Sequence, residues 1–197
     1  MTRESTNPAP GVPPGWNYNP SVWSQRTPII ALASLGFLIA GYLSLYQLEI
    51  IAGVWEPFFG DGSRTILDSS VSHVLPIPDA LLGAFGYLVD TVTGAIGRDQ
   101  RWKRMPWIVI LFGIAVGPLG VVSVTLVIFQ PVLFSAWCTL CLCSAVVSLL
   151  MIGPAMDEML ASCQHVRREV VNGRSLWRVF WGLSDRRDTM LAGSRNA

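Results

Sequence analysis

The sequence carries little charge. Charged residues make up 14% of the 197-residue chain, well below the roughly one quarter that is usual in soluble domains. The net charge is +1, so no strongly basic surface indicates a nucleic-acid partner. The chain has only two histidines, His73 and His165. This scarcity argues against a histidine-rich metal site and against cysteine–histidine nucleophilic catalysis.

Two long stretches contain no charged residue, one from Thr27 to Leu48 and one from Met105 to Met156. A helix needs about 20 apolar residues to cross a bilayer, so the first stretch fits one crossing and the second fits two. The dipeptide Gln130-Pro131 predicts the turn between those two. A further span begins near Asp79 and contains Asp90. The sequence thus predicts an all-α integral membrane bundle of four transmembrane helices, over about 28–54, 78–97, 106–129 and 132–153.

The remaining segments predict a short capping helix and two tails. Between the first two spans, Ile66, Val71 and Val74 recur at helical intervals, which predicts a surface helix within residues 63–74 that caps the bundle. Residues 1–26 are rich in Pro, Asn and Gly, which is typical of a disordered tail. We therefore divide the chain into this tail, a membrane domain and a basic, amphipathic C-terminal tail, at residues 1–26, 27–154 and 155–197.

Basic residues predict the orientation of the bundle. They cluster between the second and third spans and after the fourth, whereas the 55–77 loop has only Arg64. Lys and Arg favour the cytoplasmic side, so both termini should be cytoplasmic and the loop extracytoplasmic, in a multi-pass plasma-membrane protein. The clustered residues are Arg98, Arg101, Lys103, Arg104, Arg167, Arg168, Arg174, Arg178, Arg186 and Arg187.

The first cysteine of the chain is Cys138, and it opens a C-x-x-C motif with Cys141 near the start of the fourth predicted span. Residues three apart share a face of a helix, so the two sulfurs can meet after a local adjustment of the turn. The helix dipole favours a thiolate on Cys138. A C-x-x-C at a helix start is the layout of a thiol–disulfide exchange pair. Cys143 lies about 200° around the helix from Cys141 and should face elsewhere.

Other interpretations of the cysteines fit the geometry less well. Structural zinc requires four convergent ligands, and three cysteines on one helix cannot converge, so we expect no metal. A copper site with Met151 has the same difficulty. We expect Cys143 and Cys163 to be buried small residues without a chemical role. At the edge of the hydrocarbon, the C-x-x-C pair can meet a soluble partner from outside and a lipid-soluble acceptor from inside, for which a quinone is the natural candidate.

Two sequence motifs resemble the vitamin K epoxide reductase family: "WCTLCLCSA", which opens the fourth span, and "SRTILDSSVSHVLPIPDALLGAFGY" before and within the second. The resemblance covers about residues 28–153. It implies a four-helix bundle that encloses a quinone, such as menaquinone or ubiquinone, beneath the loop helix. It further implies that Cys138 exchanges with an extracytoplasmic thioredoxin-like thiol protein and that Cys141 reduces the quinone. Ser69, Asp79 and Tyr87 are expected to contact the quinone, although Asp79 fits a plain helix cap equally well.

The chain departs from the family at one position. Most members have a cysteine pair in the outer loop that relays electrons to the membrane pair, whereas here Ser63 occupies the position of the loop cysteine before the short helix. Cys138 should then be more exposed than usual, or the loop should swing aside at Gly60 and Gly62. The sequence favours a quinone-linked thiol–disulfide oxidoreductase that forms disulfide bonds. The alternative is a non-catalytic quinone- or partner-binding membrane subunit.

Overall fold

The computed structural model describes residues 11–69 and 77–183, and within these ranges the chain is helical with no β-strand. The all-α fold class is therefore confirmed. The helices are, in chain order, α1 (Trp23–Gln47), α2 (Gly62–Leu67), α3 (Asp79–Ala95), α4 (Arg101–Arg104), α5 (Pro106–Phe129), α6 (Thr139–Val171) and α7 (Leu176–Phe180), with a π-helical turn (Gln130–Phe134) after α5.

Among the described residues, three helices are long and apolar enough to cross a membrane: α1, α5 with its π-helical turn, and α6. Helix α3 has 17 residues, which span about 26 Å, slightly less than the ~30 Å of a hydrocarbon core. The chain is therefore a multi-pass helical membrane protein. That α3 is a fourth crossing remains a prediction.

The helix boundaries differ from the predicted ones at the ends of two spans. Helix α1 begins at Trp23 and ends at Gln47, several residues earlier at each end than predicted. Helix α5 matches its prediction, but α6 begins only at Thr139. The reason is that Gln130-Pro131 does not form the turn itself. The chain continues as a π-helical turn and reverses at Ser135, which has φ +48°.

Helices α1, α3, α5 and α6 pack around one apolar core. Small side chains on α1 and α3 let the backbones approach closely, as is usual between membrane helices. Large apolar side chains such as Leu38, Phe85 and Val121 remain exposed on the outside of the bundle, as expected for a surface that faces lipid. The buried core consists of Ile29, Ala33, Ala40, Ala84, Tyr87, Phe112, Val116, Val147, Met151 and Ala155.

The segment 11–22 is not a disordered tail, and the prediction is wrong for these residues. The hydroxyl groups of Tyr18 and Ser21 donate hydrogen bonds to the α6 carboxylates of Asp157 and Glu158, each at 2.5 Å. The Trp16 indole also donates to an α6 side chain, that of Gln164. Composition suggested disorder because Pro and Gly are frequent, but these side chains anchor the segment. We call this end of the bundle the tail end.

Two buried arginines fix the end of α3 at the tail end. Arg26 of α1 donates hydrogen bonds to the carbonyl groups of Gly94, Ile96 and Gly97. Arg101 donates to the Thr93 carbonyl at 2.6 Å and forms a buried ion pair with Glu158. Carbonyl groups at a helix C-terminus lack partners within the helix, and the two arginines satisfy them. The positive charges also interact favourably with the negative end of the helix dipole.

Helix α2 is shorter than the predicted capping helix. It ends at Leu67, and the part of the predicted helix over residues 70–74 lies outside the described residues. The expectation that Cys143 and Cys163 are buried is wrong, because both are exposed on the outside of the bundle. Their exposure agrees with the argument that Cys143 faces away from Cys141.

Candidate active site

Cys138 and Cys141 are joined by a disulfide at the start of α6, with their Cα atoms 5.2 Å apart. Cys138 is the N-cap of the helix and has an extended backbone, while Cys141 lies in the first turn. The Cys138 Sγ accepts a hydrogen bond from the Cys141 N–H at 3.1 Å. The local adjustment that brings the sulfurs together is thus the departure of Cys138 from the helix.

Beside the disulfide lies a cavity of about 540 Å³. Its walls come from α1, α3, α5 and α6, and Ile66 and Leu67 of α2 cover it. Most of the lining is aliphatic or aromatic. Some lining side chains, such as Leu82, Phe85 and Val122, are also exposed on the outside of the bundle. The cavity is therefore open towards the lipid-facing surface between α3 and α5.

The structure brings four of the five predicted site residues to this cavity. Cys141, Ser69, Asp79 and Tyr87 line it. Cys138 does not line it and is fully buried, with 0% of its surface exposed. The two sulfurs therefore have different surroundings: Cys141 faces the cavity, and Cys138 lies behind it.

Asp79 is fixed by hydrogen bonds at the mouth of the cavity. Its Oδ1 accepts from the Gln47 side-chain amide at 2.6 Å and from the Ala80 N–H at 2.8 Å. Pro78, and not Asp79, is the N-cap of α3. The plain-cap interpretation is therefore wrong in its position, because Asp79 is the first helical residue and, among the described residues, the backbone N–H that its side chain accepts from is that of Ala80.

Tyr87 is buried between α1 and α6, and its ring packs directly on Gly36, where any Cβ would overlap it. Its hydroxyl group donates to the Ser144 carbonyl at 2.7 Å and lies 2.6 Å from the Ser148 hydroxyl. Ser144 also lines the cavity. Tyr87 therefore holds a hydroxyl cluster at the cavity wall.

Gln130 is a site residue that sequence reasoning missed. It lines the cavity, only 2% of its surface is exposed, and its Oε1 accepts a hydrogen bond from the Cys138 N–H at 3.0 Å. The sequence pattern predicts it only as a turn residue. The signal that was available is its polarity, since an amide inside an apolar membrane stretch needs a partner.

Glu56 is a second missed residue, and it connects the loop to the cysteine site. Its carboxylate accepts hydrogen bonds from the Ser63 hydroxyl, the Thr139 hydroxyl and the Thr139 N–H, the last at 2.9 Å. Partial burial opposes the charged form, but these hydrogen bonds outweigh it and lower the pKa of Glu56 to about 2. Glu56 is therefore ionised at physiological pH, and it bridges Ser63 to the residue that follows Cys138.

The same loop covers the start of α6. A Cβ at Gly62 would overlap the carbonyl oxygen of Trp137, so only glycine permits this approach. The Phe59 ring packs against the Trp137 ring with centroids 6.4 Å apart. The expectation that Cys138 is unusually exposed is therefore wrong. Gly60 has φ +60°, a conformation that glycine adopts readily, and it lies between the Phe59 and Gly62 contacts.

The bundle holds a disulfide that has the outer loop on one side and an apolar cavity on the other. This arrangement is typical of membrane proteins that combine thiol chemistry with a lipid-soluble ligand. The chain belongs to the vitamin K epoxide reductase family, whose sequence profile matches residues 27–155. The predicted resemblance is thus confirmed. Members of this family are oxidoreductases, and the family is associated with quinones. No curated protein and no solved structure matches the chain significantly.

The residues of the cavity fit a quinone. The cavity volume lies within the 300–1,000 Å³ usual for small-molecule sites, and an apolar wall with a few convergent polar groups is their usual chemistry. The Ser144 hydroxyl can donate a hydrogen bond to a ring oxygen, whereas the Ser69 hydroxyl donates its one proton to the Ile66 carbonyl at 2.6 Å and would have to release it first. For a metal ion, no group of three His, Cys, Asp or Glu side chains converges within residues 11–69 and 77–183.

Proposed function

We propose that this protein is a quinone-linked thiol–disulfide oxidoreductase that forms disulfide bonds. The observation that carries the proposal is the asymmetry of the cysteine pair, since Cys141 lines the apolar cavity while Cys138 lies on the side covered by the loop. A pair in this position can exchange electrons with two different partners on its two sides.

A quinone bound in the cavity would accept the two electrons. When two thiols on Cys138 and Cys141 form a disulfide, one S–S bond forms and two electrons and two protons leave, as quinol formation requires. A dithiol partner then reduces the pair. Its thiolate attacks Cys138, Cys141 leaves, and the second partner thiol releases Cys138 from the mixed disulfide. Ser69, Asp79 and Tyr87 would orient the quinone beside Cys141.

Access to Cys138 requires the loop to move. Because Ser63 cannot form a disulfide, an extracytoplasmic thioredoxin-like thiol protein would attack Cys138 directly. The Glu56 bridge and the Gly62–Trp137 contact must open first, since both adjoin Cys138 in the chain. Gly60, with φ +60°, gives the loop a position at which the backbone can turn.

A non-catalytic quinone-binding subunit is the second candidate. Two observations favour it: Ser63 replaces the relay cysteine, and Cys138 is fully buried. Such a subunit would keep the cavity and bind quinone, but its cysteine pair would not change oxidation state when quinone is added.

The experiment that separates these functions starts with purification of the protein with lipid, followed by extraction and identification of the bound quinone. The protein is then treated with dithiothreitol and menadione in liposomes, and thiol alkylation reports the state of each cysteine. If the protein is an enzyme, the pair cycles, and Cys138→Ala or Cys141→Ala reduces menadione no faster than dithiothreitol does without protein. Cys143→Ala and Cys163→Ala are the matched controls and should cycle like the wild type. Bound quinone with a pair that never cycles would instead support the subunit.

A further inference from the structure

Asp90 lies in the second half of α3 with only 1% of its surface exposed. Within the described ranges, neither of its carboxyl oxygens has a hydrogen-bond partner. Burial of an ionised carboxylate without a partner is very costly in a membrane protein, so the neutral acid is the form that the bundle tolerates. A neutral buried acid carries a proton that it can give away and take back.

The charged groups near this part of the bundle are already engaged. Arg26 of α1 donates to carbonyl groups at the end of α3, and Arg101 pairs with Glu158 of α6. Helix α5 has no charged residue at all. None of these groups forms an ion pair with Asp90, so its carboxyl group is not one half of a structural salt bridge.

Asp90 lies on the buried stripe of α3 between two polar clusters. Tyr87 precedes it by three residues and Thr93 follows it by three, and all three are buried. Three residues of an α-helix rise about 4.5 Å, so each neighbour is about one turn away on the same face.

On one side of Asp90, the hydroxyl cluster leads to the cavity. The Tyr87 hydroxyl lies 2.6 Å from the Ser148 hydroxyl and 2.9 Å from the Ser144 hydroxyl. Ser148 in turn lies 3.0 Å from the Ser123 hydroxyl. Tyr87, Ser144 and Ser123 all line the cavity that Cys141 faces.

On the other side of Asp90, a second cluster leads to the tail end. The Thr93 carbonyl accepts a hydrogen bond from Arg101 at 2.6 Å. Arg101 pairs with Glu158, which also accepts a hydrogen bond from Ser21 of the N-terminal segment. Asp90 is therefore a protonatable group between the cavity and the tail end.

We infer that Asp90 is a proton-transfer residue that passes protons between the tail end of the bundle and the hydroxyl cluster at the cavity. The inference rests on the proposed quinone-linked function. As Asp90 gives its proton to the Tyr87–Ser148 hydroxyls, which donate one at the cavity wall, it takes up another from water at the tail end, so that the costly carboxylate does not persist. Each transfer crosses one turn of α3 by rotation of the Asp90 side chain or through one bridging water.

The proton balance closes. Two thiols release two protons and two electrons when the Cys138–Cys141 disulfide forms, and a quinol needs two of each. If one proton arrives through Asp90, one thiol proton leaves the protein elsewhere. Oxidation of the pair should therefore remove one proton from the solution at the tail end and release one at the cysteine end.

The kinetic test uses the full-length protein in liposomes, reduced and then mixed with menadione. General acid–base groups contribute about 10²–10⁴-fold to reaction rates. In Asp90→Asn, menadione should therefore oxidise the cysteine pair at least about tenfold more slowly than in the wild type. Menadione binding should be unchanged, and Asp90→Glu should recover part of the rate. Asp99→Asn, the same change at an exposed position between α3 and α4, is the matched control and should behave like the wild type.

Three kinetic results would overturn the inference: an Asp90→Asn rate within about threefold of the wild-type rate, a loss of menadione binding in Asp90→Asn, or no recovery in Asp90→Glu. Wild-type thiols that menadione never oxidises would instead overturn the proposed function. Asp90→Leu removes the acid and replaces it with an apolar side chain of similar size. It should bind menadione, and its cysteine pair should be oxidised as slowly as that of Asp90→Asn. A wild-type rate in Asp90→Leu would also overturn the inference.

A second readout needs no quinone. The infrared spectrum of the wild type minus that of Asp90→Asn should contain the C=O band of a neutral carboxylic acid at neutral pH. In D₂O this band should shift within seconds, well before the amide protons of the α3 core exchange, because Asp90 is connected to solvent by a proton route. The absence of the band, or its failure to shift over hours, would contradict a proton-transfer role.

Discussion

The Glu56 carboxylate accepts hydrogen bonds from both the N–H and the hydroxyl group of Thr139, although the two residues are 83 positions apart. Thr139 directly follows Cys138, so this bridge holds the outer loop against the cysteine site. Ser63, at the position of the missing relay cysteine, donates to the same carboxylate. The loop therefore remains packed on the site although it cannot exchange electrons with it.

Loss of the Glu56 bridge should expose the disulfide. Glu56→Gln removes the charge that strengthens the hydrogen bonds from Ser63 and Thr139, so we expect dithiothreitol to reduce the Cys138–Cys141 pair roughly tenfold faster than in the wild type. Quenched alkylation measures the rate. Glu49→Gln, an exposed glutamate beyond the end of α1, is the control. An unchanged rate in Glu56→Gln would mean that the bridge does not limit access to Cys138.

The bridge should also respond to acid, in a direction set by the lowered pKa of Glu56. The pKa is about 2 in the folded protein and 4.5 ordinarily, so the stabilisation is fully present above pH 4.5 and is lost as the pH falls through about 2. The ratio of wild-type to Glu56→Gln reduction rates, measured with a phosphine reductant, should be constant above pH 4.5 and approach one near pH 2. A ratio that changes between pH 5 and 7 would contradict this assignment.

Gln130 should matter for the position of Cys138. Gln130→Leu leaves the buried Cys138 N–H without a partner, which costs about 1–3 kcal/mol. We expect a lower thermal midpoint and a slower reaction of the cysteine pair with menadione. Gln25→Leu, at an exposed position of α1, should change neither. A stable Gln130→Leu protein with normal kinetics would show that this hydrogen bond does not order the site.

Gly36 should matter through Tyr87. Ala at this position overlaps the Tyr87 ring, so Gly36→Ala should destabilise the bundle by about 1–3 kcal/mol, as overpacking usually does, and weaken quinone binding. Gly41→Ala, on the same helix, is the matched control because no atom outside the helix backbone lies within 4 Å of a Cβ at that position. Thermal unfolding and menadione titration measure both effects. Equal behaviour of the two variants would contradict the predicted packing role.

The orientation of the bundle is tested by thiol labelling in intact cells that express a variant of the protein without Cys143 and Cys163. A cysteine introduced at Asp61, next to α2, should react with an impermeant thiol reagent, and one at Asn172, just after α6, should not. The expectation follows from the Lys and Arg distribution, which predicts a cytoplasmic tail end. The reverse labelling pattern would place the cysteine site on the cytoplasmic side.

The sequence was sufficient to predict the helical class and the cysteine pair, because charge-free stretches and C-x-x-C spacing are local signals. Cys141, Ser69, Asp79 and Tyr87 lie around one cavity, and their contact with a quinone stays a prediction. Gln130 and Glu56 were missed because their partners depend on tertiary packing, across 8 and 83 positions respectively. The N-terminal segment was misjudged for the same reason, since its anchoring partners lie on α6.

The coupling between the cysteine pair and the cavity is tested most directly by an anaerobic single turnover of the fully reduced wild-type protein with one equivalent of ubiquinone-1, whose ring has no free carbon for thiol addition. We expect each chain to lose two thiols, those of Cys138 and Cys141, as one quinone is reduced, with the exposed Cys143 and Cys163 still free. A wild-type protein that binds the quinone while Cys138 and Cys141 remain reduced would show that the pair does not pass electrons to it.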